Sequence, residues 1–546
     1  MSQPVRTSAI AYEYPLLIKQ LFLAPVIEQP DQEIVYRDRQ RFTYRQFQDR
    51  VRRLASGLKS LGIKPGDTVA MMEWDSHRYL ESYYAVPMIG AVLHTINVRL
   101  SLEQLIYTID HAEDDIILVN AEFLPVLEQI KGRIDNVKQF ILINDTETTP
   151  ACSIPFADEY EHLLANSEPL EEFPDFDENT RATTFYTTGT TGLPKGVFFS
   201  HRQLVLHTLA TTASLSSTAS TCRFHREDVY MPLTPMFHVH AWGLPYIATL
   251  LGVKQVYPGR YAPDMLLRLL AEEKVTFSHC VPTILNMLLK DPAAKGVDLS
   301  RWKVVIGGAA LQKSLALAAL QRGIDVFAGY GLSETCPVLS LAQITSAQAQ
   351  LDLEIQAELR CRTGSPAALV RLQVVNEKGE PVAKDDKTCG EIVVRTPWLT
   401  PGYLKDSKSS EKLWANGWLH TQDVASWNAI GSIRITDRIK DVIKVGGEWL
   451  SSLELEDILC AHPAVTEAAV IGQADANWGE IPLALIVLKP EAQATDRELA
   501  LHVKKYVDQG ILVREALLIK SKAVPALDKT SVGKVDKVAL RKKYLS

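Results

Sequence analysis

The chain lacks any uninterrupted apolar run of about 18 residues, the length that spans a bilayer, so its 546 residues read as having no membrane span. Its N-terminus, MSQPVRTSAIAYEYPLLIKQ, has no basic segment leading into an apolar one, and no signal peptide is expected. Cysteine is sparse: seven residues, the closest in sequence being Cys336 and Cys361. No CxxC pair exists, which argues against zinc and dithiol motifs, and an odd, scattered set suits a reducing cytoplasm. Neither sign of charge dominates. The net charge of −7 and pI near 6.1 point away from nucleic acid as the main partner, although a local basic patch can still hold a phosphate-rich ligand. Three fingerprints are missing as well. No GxxxxGK[ST] loop is present, and no GxGxxG follows a strand. The segment GLSET (331–335) carries Thr335 where a nucleophile elbow needs glycine, which disfavours a serine hydrolase.

What is there is an ordinary globular balance, 46% hydrophobic and 23% charged, in a chain long enough for two or more domains. From Tyr44 to Leu61 the apolar residues Phe47, Val51, Leu54, Leu58 and Leu61 recur every three or four positions, one face of a helix. KPGD makes a turn and TVAMME reads as a short buried strand. A helix from Arg78 to Ile89 and strands at AVLHTI, DIILV and FILIN continue the alternation. It resumes with QVYP, a helix from Met265 to Glu273, VTFSHCV, KVVIGG and DVFAGYG. This rhythm indicates βαβ units around largely parallel sheets.

Near Gly364 the rhythm changes to short strands with turns, LVRLQVV, GEIVVR and GSIRIT, a mostly antiparallel piece. Polar TDRIKD (Thr436 to Asp441) then separates it from an α+β segment. That segment holds a helix from Leu453 to Ala461, TEAAVIG, PLALIVL, a helix from Asp496, and EALLI before a basic tail. The expected division is 1–439 for a large N-terminal α/β domain and 440–546 for a smaller, mobile α+β C-terminal domain.

The chemistry starts at FYTTGTTGLPKGVFFSHRQLV, from Phe185 to Val205. A strand, a loop rich in glycine and hydroxyls with a lysine, then a helix is a physical recipe for phosphate. Glycines let backbone N–H groups converge, hydroxyls add donors, and lysine supplies charge. Alone, the same stretch also reads as a polar surface loop.

Further segments narrow the choice. YTTGTTGLPKG closely resembles the phosphate-binding signature of the adenylate-forming superfamily, which includes acyl-CoA synthetases, adenylation domains and beetle luciferases. In the same order as in that superfamily follow PMFHVHAW (Pro235 to Trp242), GGAA (Gly307 to Ala310), GYGLSET (Gly329 to Thr335) and WLHTQDVA (Trp418 to Ala425). DRIKDVIKVGGEWLSS and DKTSVGKVDK complete the set. The resemblance covers essentially the whole chain, and FHVHAW with KVGGEWLSS looks most like the medium- and long-chain fatty acyl-CoA synthetase branch.

The resemblance implies ATP-dependent activation of a carboxylic acid through an acyl-adenylate, then transfer to coenzyme A, with Mg2+ assisting. It makes Thr187, Thr188, Gly189, Thr190, Thr191 and Lys195 pyrophosphate-side ligands. Gly308, Ala309, Ala310, Gly329, Tyr330, Gly331, Leu332 and Ser333 would border the nucleotide, with Ala309 and Tyr330 at the adenine. Glu334 and Thr187 would serve the magnesium; a hard cation of this kind takes few carboxylates plus phosphate oxygens. Asp423 would hold the ribose hydroxyls with help from Arg438, a task suited to an acceptor-only carboxylate. Lys534 matches the lysine that meets both the substrate carboxylate and the α-phosphate. Apart from that match it is one of several basic residues in a charged tail, with Lys529, Lys537, Lys542 and Lys543. Glu334 could equally be a surface glutamate at a helix start.

His238 and His240 alternate along an expected strand and could share one face; a metal reading lacks obvious further ligands. The resemblance makes His238 a carboxylate-side residue and Trp242 a gate to the acyl pocket, though a packed tryptophan fits as well. Gly446, Gly447, Glu448 and Trp449 fall near coenzyme A, and Lys440 at a hinge. Two departures stand out: TQD replaces the commoner TGD before Asp423, and LDKTSVGK lacks a proline often found before the basic residue. The resemblance further suggests a homodimer. It leaves open a short, thioether-bearing or aryl acid, a carrier-loading ligase, a light-producing oxygenase, and a silent nucleotide-binding homologue.

Overall fold

The computed structural model describes residues 7–146, 151–187, 193–446, 448–530 and 534–545. Four sheets organise them. In the first, strands Gln139–Ile143, Asp114–Asn120, Thr68–Met72, Val92–Thr95 and Arg181–Tyr186 lie side by side and parallel. The hairpin partner Gly196–Ser200 closes one edge antiparallel. Strands such as TVAMM are buried throughout because helices cover both faces, the pattern of a parallel sheet.

The second sheet has nine strands. Its parallel centre comprises Lys254–Tyr257, Val229–Leu233, Phe277–Cys280, Lys303–Ile306 and Asp325–Gly331. Glu33–Tyr36 extends it parallel to Lys254–Tyr257, and antiparallel strands follow on both sides, Gln40–Thr43 in a hairpin at one and Val338–Leu341 at the other. Helix Tyr44–Ser60 shows how the local sequence sets an element. Thr43 caps it in a reciprocal box with Gln46, and Phe47, Val51, Leu54 and Leu58 bury one stripe.

The third sheet, Arg371–Val375, Gly390–Arg395, Trp414–Ala415, Trp418–Trp427 and Ile433–Arg438, is antiparallel as the rhythm after Gly364 indicates. The fourth pairs Val465–Asp475 with Gly479–Leu488 and adds Ile443–Val445, Glu448–Leu450 and Lys520–Ala523. Helices Ser452–Cys460 and Asp496–Asp508 pack on it.

Two elements differ from expectation, and one of them lies near the C-terminus. EALLI is not a strand: residues Arg514–Leu518 form a 3-10 turn, and the strand begins only at Lys520. The apolar Ala516 is buried by the turn rather than by pairing. Among the described residues no helix is long and apolar enough to cross a membrane.

Candidate active site

The loops that matter leave the carboxyl ends of parallel strands, where open α/β sheets place ligands. Lys303–Ile306 runs into Gly307–Ala310, and the neighbouring Asp325–Gly331 delivers Gly329, Tyr330 and Gly331. Gly308, Ala309 and Ala310 are exposed there, while Leu332 and Ser333 lead into a 3-10 turn carrying Glu334.

Tyr330 donates its hydroxyl to Asp423 Oδ2 at 2.7 Å. Arg438 Nε lies 3.2 Å from the other oxygen, Asp423 Oδ1. Asp423 and Arg438 sit opposite each other on antiparallel strands, so sheet register alone brings them together. Burial raises the Asp423 carboxyl, against the pull of Arg438. The TQD departure has a backbone counterpart. Gln422 takes φ +60°, a left-handed geometry that glycine adopts more freely. Its N–H donates to Glu391 Oε1 at 3.0 Å, and its carbonyl accepts from Ile439 at 2.9 Å.

The base of the glycine- and hydroxyl-rich loop is stapled. Thr187 N–H donates to the Lys195 carbonyl at 2.9 Å, and Lys195 N–H to Thr187 Oγ1 at 3.3 Å. Thr188, Gly189, Thr190 and Thr191 lie outside the described residues. Lys195 Nζ stands 4.6 Å above the ring of Tyr403, whose hydroxyl donates to Glu334 Oε1 at 2.6 Å. Thr400 N–H also donates to the Glu334 carbonyl at 3.0 Å. Tyr403 therefore links the loop lysine to Glu334, a role no sequence signal announced. Among the described residues no group of three or more His, Cys, Asp or Glu is placed to hold a metal ion.

Beside these groups is a cavity of about 60 Å³ whose walls include Thr234, His238, Trp242, Tyr261, Gly308 and Lys534. Lys534 comes from the C-terminal segment, where its N–H and C=O both bond Thr530, at 3.2 and 2.7 Å. Its side chain approaches so closely that a Cβ on Gly308 would meet Lys534 Cε at 3.1 Å. Gly308 also has φ +76°, so a side chain there would be strained twice over. Burial lowers Lys534 to about 8, with Arg438 adding to the fall and Asp423 and Glu334 opposing it.

His238 is pushed down to about 3 by burial first, then by Lys534 and Arg99, so its imidazole is neutral at pH 7. Trp242 is nearly buried, its ring 2.9 Å from where a Gly307 Cβ would stand. The ring centroid lies 5.1 Å from that of His279.

The expected strand through His238 and His240 is not formed. Val239, His240, Ala241, Trp242 and Gly243 have φ between +46° and +74°, a left-handed turn. Three buried groups fix its root. Asp75 accepts from Met236 N–H at 2.9 Å, Thr95 donates to the Phe237 carbonyl at 2.9 Å, and Tyr83 donates to the Met236 carbonyl. The two histidines consequently do not share a face: His238 lines the cavity, while His240 is buried among Tyr83, Phe185, Phe199 and Tyr246.

Of the remaining expected residues, Gly446 donates its N–H to the Trp478 carbonyl at 2.8 Å and is not among the cavity's lining residues. Gly447 lies outside the described residues, as do the side chains of Glu448 and Trp449, whose backbone forms strand Glu448–Leu450. Lys440 sits in a turn whose carbonyl accepts from Arg541 at 3.3 Å, and Arg541 also pairs with Asp441 at 2.6 Å.

Residues 24–404 match the model of the AMP-binding enzyme family, and 454–534 match that of the AMP-binding enzyme C-terminal domain. A long-chain-fatty-acid–CoA ligase of Thermus thermophilus is 41% identical over 92% of this chain and 90% of its own length. A 3-methylmercaptopropionyl-CoA ligase of Ruegeria pomeroyi is 38% identical over 91% of this chain and 90% of its own length. Among solved structures, an anthranilate CoA ligase complexed with anthranoyl-AMP superposes with TM-score 0.84, covering 97% of this chain and 98% of that one. At 21% identity that likeness speaks for the fold alone. With two family models in their expected order and relatives aligned nearly end to end, the chain belongs to the AMP-binding enzyme family and is an AMP-forming acyl-CoA synthetase.

Proposed function

We propose that the protein activates a fatty acid with ATP and passes the acyl group to coenzyme A, and that the residues gathered around Lys534 perform the first step. The observation that carries this reading is one ammonium in the wall of a cavity, with Asp423, Tyr330, Arg438 and Glu334 nearby.

A carboxylate oxygen attacks the α-phosphorus, and the bond from that phosphorus to the bridging oxygen breaks, releasing pyrophosphate. Both reactants are anionic, so the barrier is mainly electrostatic and positional. Lys534 offers its ammonium where the two anions meet. Asp423 accepts the ribose hydroxyls in place of its bonds to Tyr330 and Arg438, while Thr187 and Lys195 hold the departing phosphates. Neutral His238 borders the acid without adding a second cation. In the second step the thiol of coenzyme A attacks the acyl carbonyl, the carbonyl-to-phosphate bond breaks, and AMP leaves.

Glu334 and Thr187 offer one carboxylate and one hydroxyl, a hard oxygen set that fits Mg2+ completed by phosphate oxygens and water. There it would neutralise phosphate charge, and Tyr403, donating to Glu334 Oε1, would orient the carboxylate that holds it. We also propose the division at residue 440, a pivot at Lys440, a cytoplasmic homodimer, and coenzyme A near Gly446, Gly447, Glu448 and Trp449. The division rests on the change of rhythm and the polar TDRIKD, the cytoplasm on the sparse, scattered cysteines, and the others on the sequence resemblance.

A cavity of about 60 Å³, with Trp242 in its wall, favours a second reading, a short acid such as a thioether-bearing one, because so small a space holds only a few carbons. CoA-dependent AMP formation across straight-chain acids from acetate to palmitate, 3-(methylthio)propionate and aryl acids separates the two. The fatty-acid reading expects the highest kcat/KM with medium or long chains and a changed profile in Trp242→Ala. A maximum at the shortest acids would establish the second reading instead.

A further inference from the structure

The acyl cavity has two walls that one buried carboxylate ties together. Asp75 is 2% exposed, and each of its acceptors is used. Oδ1 takes the Met236 N–H at 2.9 Å, at the root of the segment that presents His238. Oδ2 takes the Tyr261 hydroxyl at 2.6 Å, and Tyr261 lines the same cavity. The Asp75 backbone carbonyl accepts from Gly259 N–H at 2.8 Å, two residues before Tyr261. A single side chain therefore holds the strand-end loop 235–238 and the loop 259–261 at a fixed separation. Neither Asp75 nor Tyr261 lies in one of the short motifs quoted for the family resemblance.

We infer that Tyr261, clamped by Asp75, sets the width of the acyl cavity and thereby which acids are preferred. This rests on the proposed acyl activation. Tyr261 is a wall and Asp75 a positioning residue; neither is asked to touch the reacting phosphate or to move a proton. The physical basis is that a pocket wall discriminates by the groups it excludes. A methylene's worth of space changes kcat/KM by about tenfold or more. A phenol removed from a cavity this small is a far larger change than that.

The test measures CoA-dependent AMP formation with a straight-chain acid and with a phenyl-bearing acid of similar length, in the parent, Tyr261→Ala, Tyr261→Phe and Asp75→Asn. In Tyr261→Ala the ratio of kcat/KM for the phenyl-bearing over the straight-chain acid should rise by about tenfold or more, with KM for ATP unchanged. Tyr261→Phe keeps the ring but frees it, and Asp75→Asn keeps an acceptor for Met236 while replacing the oxygen that accepts from Tyr261 with an NH2 group. Both should move the ratio the same way by roughly two- to tenfold, the scale of one hydrogen bond. A Tyr261→Ala ratio equal to the parent's, in a protein with parental KM for ATP, would overturn the inference. A shift in Tyr261→Ala with none in Tyr261→Phe would overturn Asp75's part in it. A parent that forms AMP with no acid would overturn the functional reading, and this inference with it.

Discussion

Lys534 stands where its charge state is most easily disturbed. The surroundings that let it reach the cavity also lower it to about 8, against an ordinary lysine near 10.4. The direction of the consequence follows from which form works. Adenylation needs the ammonium, which predominates below pH 8 and is lost as pH rises through that value. Acid activation at limiting substrate should therefore fall above about pH 8, while bound phosphates, being anionic, move the fall in kcat to higher pH. Lys534→Arg, which stays charged throughout this range, should abolish that alkaline fall even at a reduced rate. An identical fall in the Arg variant would assign it to another group.

At this scale the sequence motifs singled out Asp423, Arg438, Glu334 and Lys534, which the structure brings near one another. Tyr403 escaped, because its hydroxyl meets Glu334 across 69 positions of chain, and nothing in PGYLKD hints at the distant carboxylate.

Among the elements, the left-handed turn from Val239 to Gly243 is the one whose local cost is plain. Each of its four non-glycine residues gives up about 1–2 kcal/mol relative to an ordinary conformation. Burial of His240 in an aromatic cage and the three hydrogen bonds at Met236 and Phe237 offset that cost. Gly243 completes the turn at φ +74°, and a Cβ there would lie 2.8 Å from His207 Cε1. His207 has little room to yield, since it accepts from Val338 N–H at 3.2 Å and meets the edge of Trp398. Gly243→Ala should cost about 2–5 kcal/mol from the two effects together. The apparent unfolding temperature should drop by several degrees and KM for the acid rise, because Trp242 is the adjacent residue. A variant that melts and binds acid like the parent would show that the turn relaxes freely.

The alternation of FHVHAW imitates a strand so well that residue pattern alone misassigned it. What overrode the pattern is tertiary: Asp75, Tyr83 and Thr95 come from distant segments. By contrast helix Tyr44–Ser60, with its own cap and stripe, was readable to within one residue. EALLI was misread for the opposite reason. Its apolar run is short, and short runs do not distinguish a strand from a buried turn.

Across the whole molecule the open question is how two loops of the C-terminal segment serve one cavity. In the structure the loop carrying Lys534 lines it and Gly446 does not. The proposed exchange is a rotation about Lys440, a turn also gripped by Arg541 from the helix that follows the Lys534 loop. Lys440→Pro fixes φ near −65° and removes an N–H. It should spare formation of the adenylate, for which Lys534 is already in place, and slow transfer to coenzyme A. Equal slowing of both half-reactions, or of neither, would count against the pivot. The change of rhythm at Gly364 made the antiparallel third sheet legible, whereas half of the polar TDRIKD, expected as a separator, continues that sheet's strand Ile433–Arg438. Which loop faces the cavity was not legible, because that depends on how two separately folded pieces meet.

The proposed first step requires Lys534 to join a carboxylate to the α-phosphate of ATP. Acid-dependent incorporation of labelled pyrophosphate into ATP, without coenzyme A, tests it in the parent and in Lys534→Ala. Exchange should occur in the parent only when acid is present. In Lys534→Ala the loss should be on the order of 100-fold or more, while both proteins convert added acyl-adenylate and coenzyme A to acyl-CoA at comparable rates. Exchange that needs no acid, or a Lys534→Ala protein exchanging at the parental rate, would contradict it.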